Sequence, residues 1–60
     1  MKSFNVLSIN ISEARTSEEL DGLSNEAAEG FKANKLTTEE YDTLVTAITD
    51  RRLQIYNHLT

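Results

Sequence analysis

The chain has 60 residues, ten acidic and six basic, so its net charge is -4 at pH 7. A domain of this size buries only about 60% of the surface that its unfolded chain exposes, which leaves its stability marginal. The sequence has no cysteine for disulfides, and one histidine without thiolate partners does not build a structural zinc site. We therefore expect a single small domain, residues 1–60, that gains stability from self-association or from a partner.

The composition also bears on the location of the chain and on its partners. Asn5, Ser8 and Asn10 interrupt the apolar run that a signal peptide needs, and no stretch approaches the roughly 18 apolar residues of a membrane span. We therefore expect a cytoplasmic protein that does not associate with a membrane. The negative net charge repels the phosphate backbone at long range, which disfavours nucleic acid as the partner.

The N-terminal segment, residues 1–15, fits two structures. Leu7, Ile9 and Ile11 alternate with polar residues as they would in a strand. The asparagines and serines between them are poor residues for a helix interior. We favour an extended arm for these reasons. A helical stripe through Phe4, Leu7 and Ile11 is the alternative, and it would make the fold a three-helix bundle.

The first predicted helix runs from about residue 16 to 33. It begins with Thr16 and Glu19, a threonine and a glutamate at the spacing of a capping box. Asn34 then suits the left-handed conformation that ends many helices. Two glycines inside the helix weaken it by up to about 1 kcal/mol each, unless they let another backbone approach closely. The predicted apolar stripe consists of Leu20, Leu23, Ala27 and Phe31.

The second predicted helix runs from about residue 38 to 58, behind a capping box formed by Thr37 and Glu40. Arg52 takes the stripe position between Ile48 and Ile55, where its methylenes can cover the core. The short connection indicates that the two helices are antiparallel. The fold class is thus all-α, a helical hairpin with an extended arm or a short third helix. The apolar residues of this helix are Tyr41, Leu44, Val45, Ile48, Ile55, Tyr56 and Leu59.

No residue pattern indicates catalysis, a metal ion or a cofactor. His58 is the only imidazole and lies two residues from the end, where a helix frays. The adjacent acids at positions 18–19 and 39–40 fit helix capping, because neighbouring helical residues point about 100° apart. No histidine stands beside a serine or threonine nucleophile, and no glycine-rich turn offers a phosphate or oxyanion site. We expect a chain that is not an enzyme.

A partner surface is predicted at the end of the second helix, which is longer than the first. Tyrosine and arginine dominate binding hot spots, and the last turns here carry both together with exposed apolar positions. We expect the chain to act as a small inhibitor or adapter of a protein partner, and to form a homo-oligomer. The predicted binding residues are Arg51, Arg52, Ile55, Tyr56 and Leu59.

An alternative hypothesis is a small nucleic-acid-binding regulator. Two copies of the chain would present Arg51, Arg52, Lys32 and Lys35 on one basic face. Binding would then weaken steeply with salt, because the cations would displace counterions from phosphates. The absence of aromatic residues interleaved with these cations argues against this hypothesis.

Four short segments carry a resemblance: residues 12–16 (SEART) leading into 18–20 (EEL), then 35–41 (KLTTEEY) and the arginine pair 51–52. Over residues 12–53 the chain resembles the helical hairpins of small uncharacterised proteins encoded by bacteriophages and other mobile elements of bacteria. The resemblance brings no site residues. It implies a context in which small acidic proteins bind and redirect a host or phage protein.

Overall fold

The computed structural model describes residues 2–59, with the side chains of residues 58 and 59 left out of the description. Over this range the chain forms three helices: α1 Phe4–Glu13, α2 Ser17–Lys32 and α3 Thr38–Leu59. Each helix packs against both of the others, so the fold is a three-helix bundle. The all-α prediction is confirmed, and α2 and α3 end within one residue of the predicted bounds.

The preference for an extended N-terminal arm is wrong, because residues 4–13 form α1. The Ser3 hydroxyl accepts a hydrogen bond of 3.3 Å from the backbone N–H three residues later, which caps the helix. Leu7 and Ile11, one turn apart, are buried, whereas Ile9 is 55% exposed. Burial of that stripe against α2 and α3 outweighs the low helix propensity of the segment's polar residues.

The predicted caps form at the starts of both hairpin helices. At α2 the Thr16 hydroxyl accepts a hydrogen bond from the Glu19 N–H at 3.1 Å. The Glu19 carboxylate accepts from the Thr16 hydroxyl at 3.4 Å, and not from the Thr16 N–H as in a complete capping box. At α3 the capping box is complete. The Glu40 N–H donates to the Thr37 hydroxyl at 3.1 Å, and the Thr37 N–H donates to the Glu40 carboxylate at 3.0 Å.

The turn between α2 and α3 is set by Asn34, which has a φ of 61° and so takes the left-handed conformation predicted for it. The Lys35 N–H donates to the Gly30 carbonyl at 2.8 Å, and the Asn34 N–H donates to the Phe31 carbonyl at 3.1 Å. This pair of bonds is a Schellman motif, which satisfies the last carbonyls of α2. Leu36 is buried directly after the turn, so the chain reverses and α3 returns along α2.

The core contains apolar residues from all three helices and from the connections between them. Among the described residues no polar or charged side chain is buried, so the core is held together by burial of apolar surface. Four leucine and isoleucine side chains at its centre are completely enclosed. The buried residues are Leu7, Ile11, Ala14, Leu20, Leu23, Ala27, Leu36, Leu44 and Ile48.

Phe31 was expected to continue the buried stripe of α2, but its ring lies at the rim and is exposed. Gly30, one position earlier, takes the inward position instead. The Phe31 ring stacks on Tyr41 of α3, with ring centroids 4.8 Å apart and planes inclined by 13°. This aromatic pair joins α2 to α3 at the end of the bundle that carries their connection.

Gly22 does not serve a close approach of another backbone, because no atom beyond its own stretch of α2 lies within 4 Å of where its Cβ would stand.

Candidate functional site

Helix α3 is longer than its neighbours. Its 22 residues span roughly 33 Å, against roughly 24 Å for the 16 residues of α2. The bundle is accordingly elongated, with extents of 38 × 18 × 16 Å. The last turns of α3 carry the predicted binding residues, and the side chains of four of these five are described, those of Arg51, Arg52, Ile55 and Tyr56.

Arg51 is half-buried and connects α3 to the end of α1. Its Nε donates to the carbonyl of Ala14 at 2.8 Å, and its Nη1 donates to the Gln54 side chain at 3.0 Å. Ala14 caps the C-terminus of α1, where the helix dipole favours a cation. The guanidinium therefore holds the α1–α2 connection against α3, so Arg51 has a structural role.

Arg52 connects α3 to α2. Its Nη2 lies 2.6 Å from Oδ1 of Asp21, and the two side chains are 40% and 65% exposed. An ion pair exposed to this degree contributes at most about 1 kcal/mol to stability. The charged end of Arg52 is thus paired with Asp21 of α2, and the covering of the core by its methylenes stays a prediction.

The remaining predicted binding residues differ in how far their side chains are buried. Ile55 is partly buried and packs against the core, so it contributes to the fold. Tyr56 is 67% exposed and points away from the core. The side chain of Leu59 lies outside the described residues. Among the predicted binding residues whose side chains are described, Tyr56 is thus the one that is largely exposed and has no role in the core, and the binding role of the whole set stays a prediction.

Leu53 is 60% exposed and is not among the predicted binding residues. With Val45, Thr49 and Tyr56 it forms a series at spacings of four, four and three residues, so these side chains line one side of α3. We call this series the outer stripe. Val45 is 39% exposed and Thr49 is exposed as well. The signal in the sequence is this second, largely apolar series, which runs along α3 beside the buried stripe.

A shallow groove of about 370 Å³ lies between α1 and α2. Gly22 lies in it, and Lys2 forms an ion pair of 3.6 Å with Glu26 across it. Glu13 and Glu19 also line the groove. Within the described part of the chain, no group of three or more acidic or histidine side chains is arranged to hold a metal ion.

None of the helices in residues 2–59 is long and apolar enough to cross a membrane. No family model, no curated protein and no solved structure matches this chain.

Proposed function

We propose that this chain is a non-enzymatic protein–protein interaction module, which acts as a small inhibitor or adapter of a protein partner. The observation that carries the proposal is the exposure of Leu53 and Tyr56 on a helix whose other side is fixed in the core. These two side chains add nothing to the buried core of the bundle, and burying them against a partner would gain free energy.

The arrangement suits recognition in a groove of another protein. Leu53 and Tyr56 are three residues apart, which is the spacing of anchor residues in helices that lie in hydrophobic grooves. Tyrosine is enriched among residues that dominate binding energy. Because Arg51 and Arg52 hold α3 to the other two helices, the anchors are presented on a helix already ordered before binding.

Further parts of the proposal rest on the sequence. We propose that the chain has no catalytic activity and no cofactor, and that it acts in the cytoplasm. We also propose that it belongs to a mobile element and that its partner is a host or phage protein. The proposal of a basic nucleic-acid face finds less support, since both arginines that it needs are engaged within the fold by Ala14 and Asp21.

The experiment is capture of partners by the tagged chain from lysate of the source cell, with and without nuclease. We expect one protein at near-stoichiometric yield, retained after nuclease treatment, and identified by mass spectrometry. Recovery that collapses on nuclease treatment would instead support the nucleic-acid regulator, and Arg51→Ala would then be expected to weaken binding in a salt-dependent way.

A further inference from the structure

Resting on the proposed function, we infer that the protein partner of the outer stripe binds it in an apolar groove that carries lysine or arginine side chains along one rim. The rim concerned is the one that faces Asp42 and Asp50. Helical spacing sets both aspartates beside the outer stripe, on the side opposite Arg52.

The two aspartates belong to a row of exposed side chains that runs parallel to the outer stripe. Asp42, Thr46 and Asp50 each stand three residues before a member of the stripe, so each is a neighbour of the stripe on the helix surface. We call these three residues the acidic row. Residues 36–50 contain four carboxylates and no lysine or arginine, so no cation from this part of the chain interrupts the row. The acidic row therefore gives the outer stripe a negative border.

The other border of the outer stripe differs in charge. There Arg52 lies 2.6 Å from Oδ1 of Asp21, so its charge is balanced within the fold. In the acidic row, by contrast, neither aspartate forms an ion pair with another of the described residues. The surface around the stripe is thus negative on one side and close to neutral on the other. This asymmetry predicts one charged rim in the partner rather than two.

The middle of the outer stripe can be buried without leaving a polar group unpaired. The polar residue there is Thr49, whose hydroxyl donates to the Val45 carbonyl at 3.1 Å. A hydroxyl bonded in this way needs no partner in an apolar environment. The floor of the groove can accordingly be apolar, and charged groups are needed only at its edge.

A basic rim is the chemistry that suits these carboxylates. A neutral apolar rim would desolvate them without compensation, and an acidic rim would repel them. Lysine or arginine opposite them forms ion pairs at the edge of the interface, which speed association and fix the direction in which α3 lies in the groove. The net charge of -4 adds attraction towards a positive surface at long range.

The test compares two variants of equal net charge, with the protein captured by the wild-type chain as the probe. Asp42→Asn/Asp50→Asn removes both charges of the acidic row. Glu13→Gln/Glu29→Gln removes two exposed charges on α1 and α2 and is the matched control. Rates of association with the purified probe, and of dissociation from it, are measured by surface plasmon resonance at matched helicity of the variants.

We expect the acidic-row variant to associate at least about threefold more slowly than the wild-type chain at low ionic strength, and the control to change by less than about 1.5-fold. Dissociation should change little for either variant, because charges at the rim of an interface act mainly on association. Raising the ionic strength from about 0.05 to 0.5 M should remove most of this difference, because salt screens exposed charges. Equal association of the two variants, or faster association of the acidic-row variant, would overturn the inference.

The outcome separates this inference from the proposed function. A partner that is lost when Leu53 and Tyr56 are replaced by alanine, yet associates equally fast with the acidic-row variant and the control, would refute the basic rim and leave the interaction module standing. A chain that captures no protein would remove both. Slower association of the acidic-row variant alone would support the basic rim.

Discussion

The inner and outer sides of α3 have similar amino acids and opposite surroundings. Leu44 and Ile48 on the inner side are buried in the core, while the outer stripe next to them carries Val45, Leu53 and Tyr56 in contact with solvent. The helix therefore contains more apolar surface than its own fold uses. The apolar residues of the inner side are explained by the fold. Those of the outer side are candidates for a binding surface, because exposed apolar side chains aligned along a helix often mark one.

Leu44→Ala should have the largest effect, because this side chain is completely buried at the centre of the core. Truncation of a buried leucine costs about 2–5 kcal/mol, which is comparable to the whole stability of a domain this small. We expect the free energy of unfolding, measured by urea titration with circular dichroism, to fall until much of the chain is unfolded. The adjacent Val45→Ala is the control, and an equal loss there would contradict the distinction between the two sides.

Arg51→Met should have the next largest effect. The change keeps a long side chain over the core but removes the Nε donor to the Ala14 carbonyl. Loss of a partly buried, charge-assisted hydrogen bond costs about 1–3 kcal/mol. The same urea titration measures it, and an unchanged midpoint would mean that the guanidinium does not hold the α1–α2 connection.

Gly22→Ala should stabilise the chain. The added methyl group meets open space in the middle of α2, and alanine is favoured over glycine in a helix by about 1 kcal/mol. We expect a higher midpoint of thermal unfolding. A lower midpoint would show that the groove between α1 and α2 has less room than the structure gives it.

The double replacement of Leu53 and Tyr56 by alanine should have the smallest effect on stability. Surface substitutions away from buried groups usually change the free energy of unfolding by less than about 0.5 kcal/mol. We expect the urea midpoint to stay close to that of the wild-type chain. Ile55→Asp is a poorer probe of the binding surface, because Ile55 packs against the core and its replacement would disturb the fold as well.

The hairpin was predictable because its signals are local. The Thr37 and Glu40 capping box and the left-handed Asn34 act within a few residues, so they can be recognised from the sequence and are found as predicted. In α1 the local and distant effects oppose each other. Its polar residues disfavour a helix, and the burial of Leu7 and Ile11 that decides the matter depends on α2 and α3.

The candidate site was predictable in part for a similar reason. The exposure of Tyr56 near the end of α3 agrees with the prediction of a partner surface there, which rested on the length of the helix and on the residue types. The contact of Arg51 with Ala14 joins residues 37 positions apart, and it exists because α1 is a helix that ends beside α3. An extended arm would give Arg51 no such partner within the chain, which is why the arginine was predicted to bind an external ligand.

The most direct test of the account is capture by the Leu53→Ala/Tyr56→Ala double variant from nuclease-treated lysate, at matched helicity, beside Thr43→Ala as the control on another side of α3. We predict that the double variant loses the protein that the wild-type chain retains, while Thr43→Ala retains it. Undiminished capture by the folded double variant would contradict the central claim that the outer side of α3 is the binding surface.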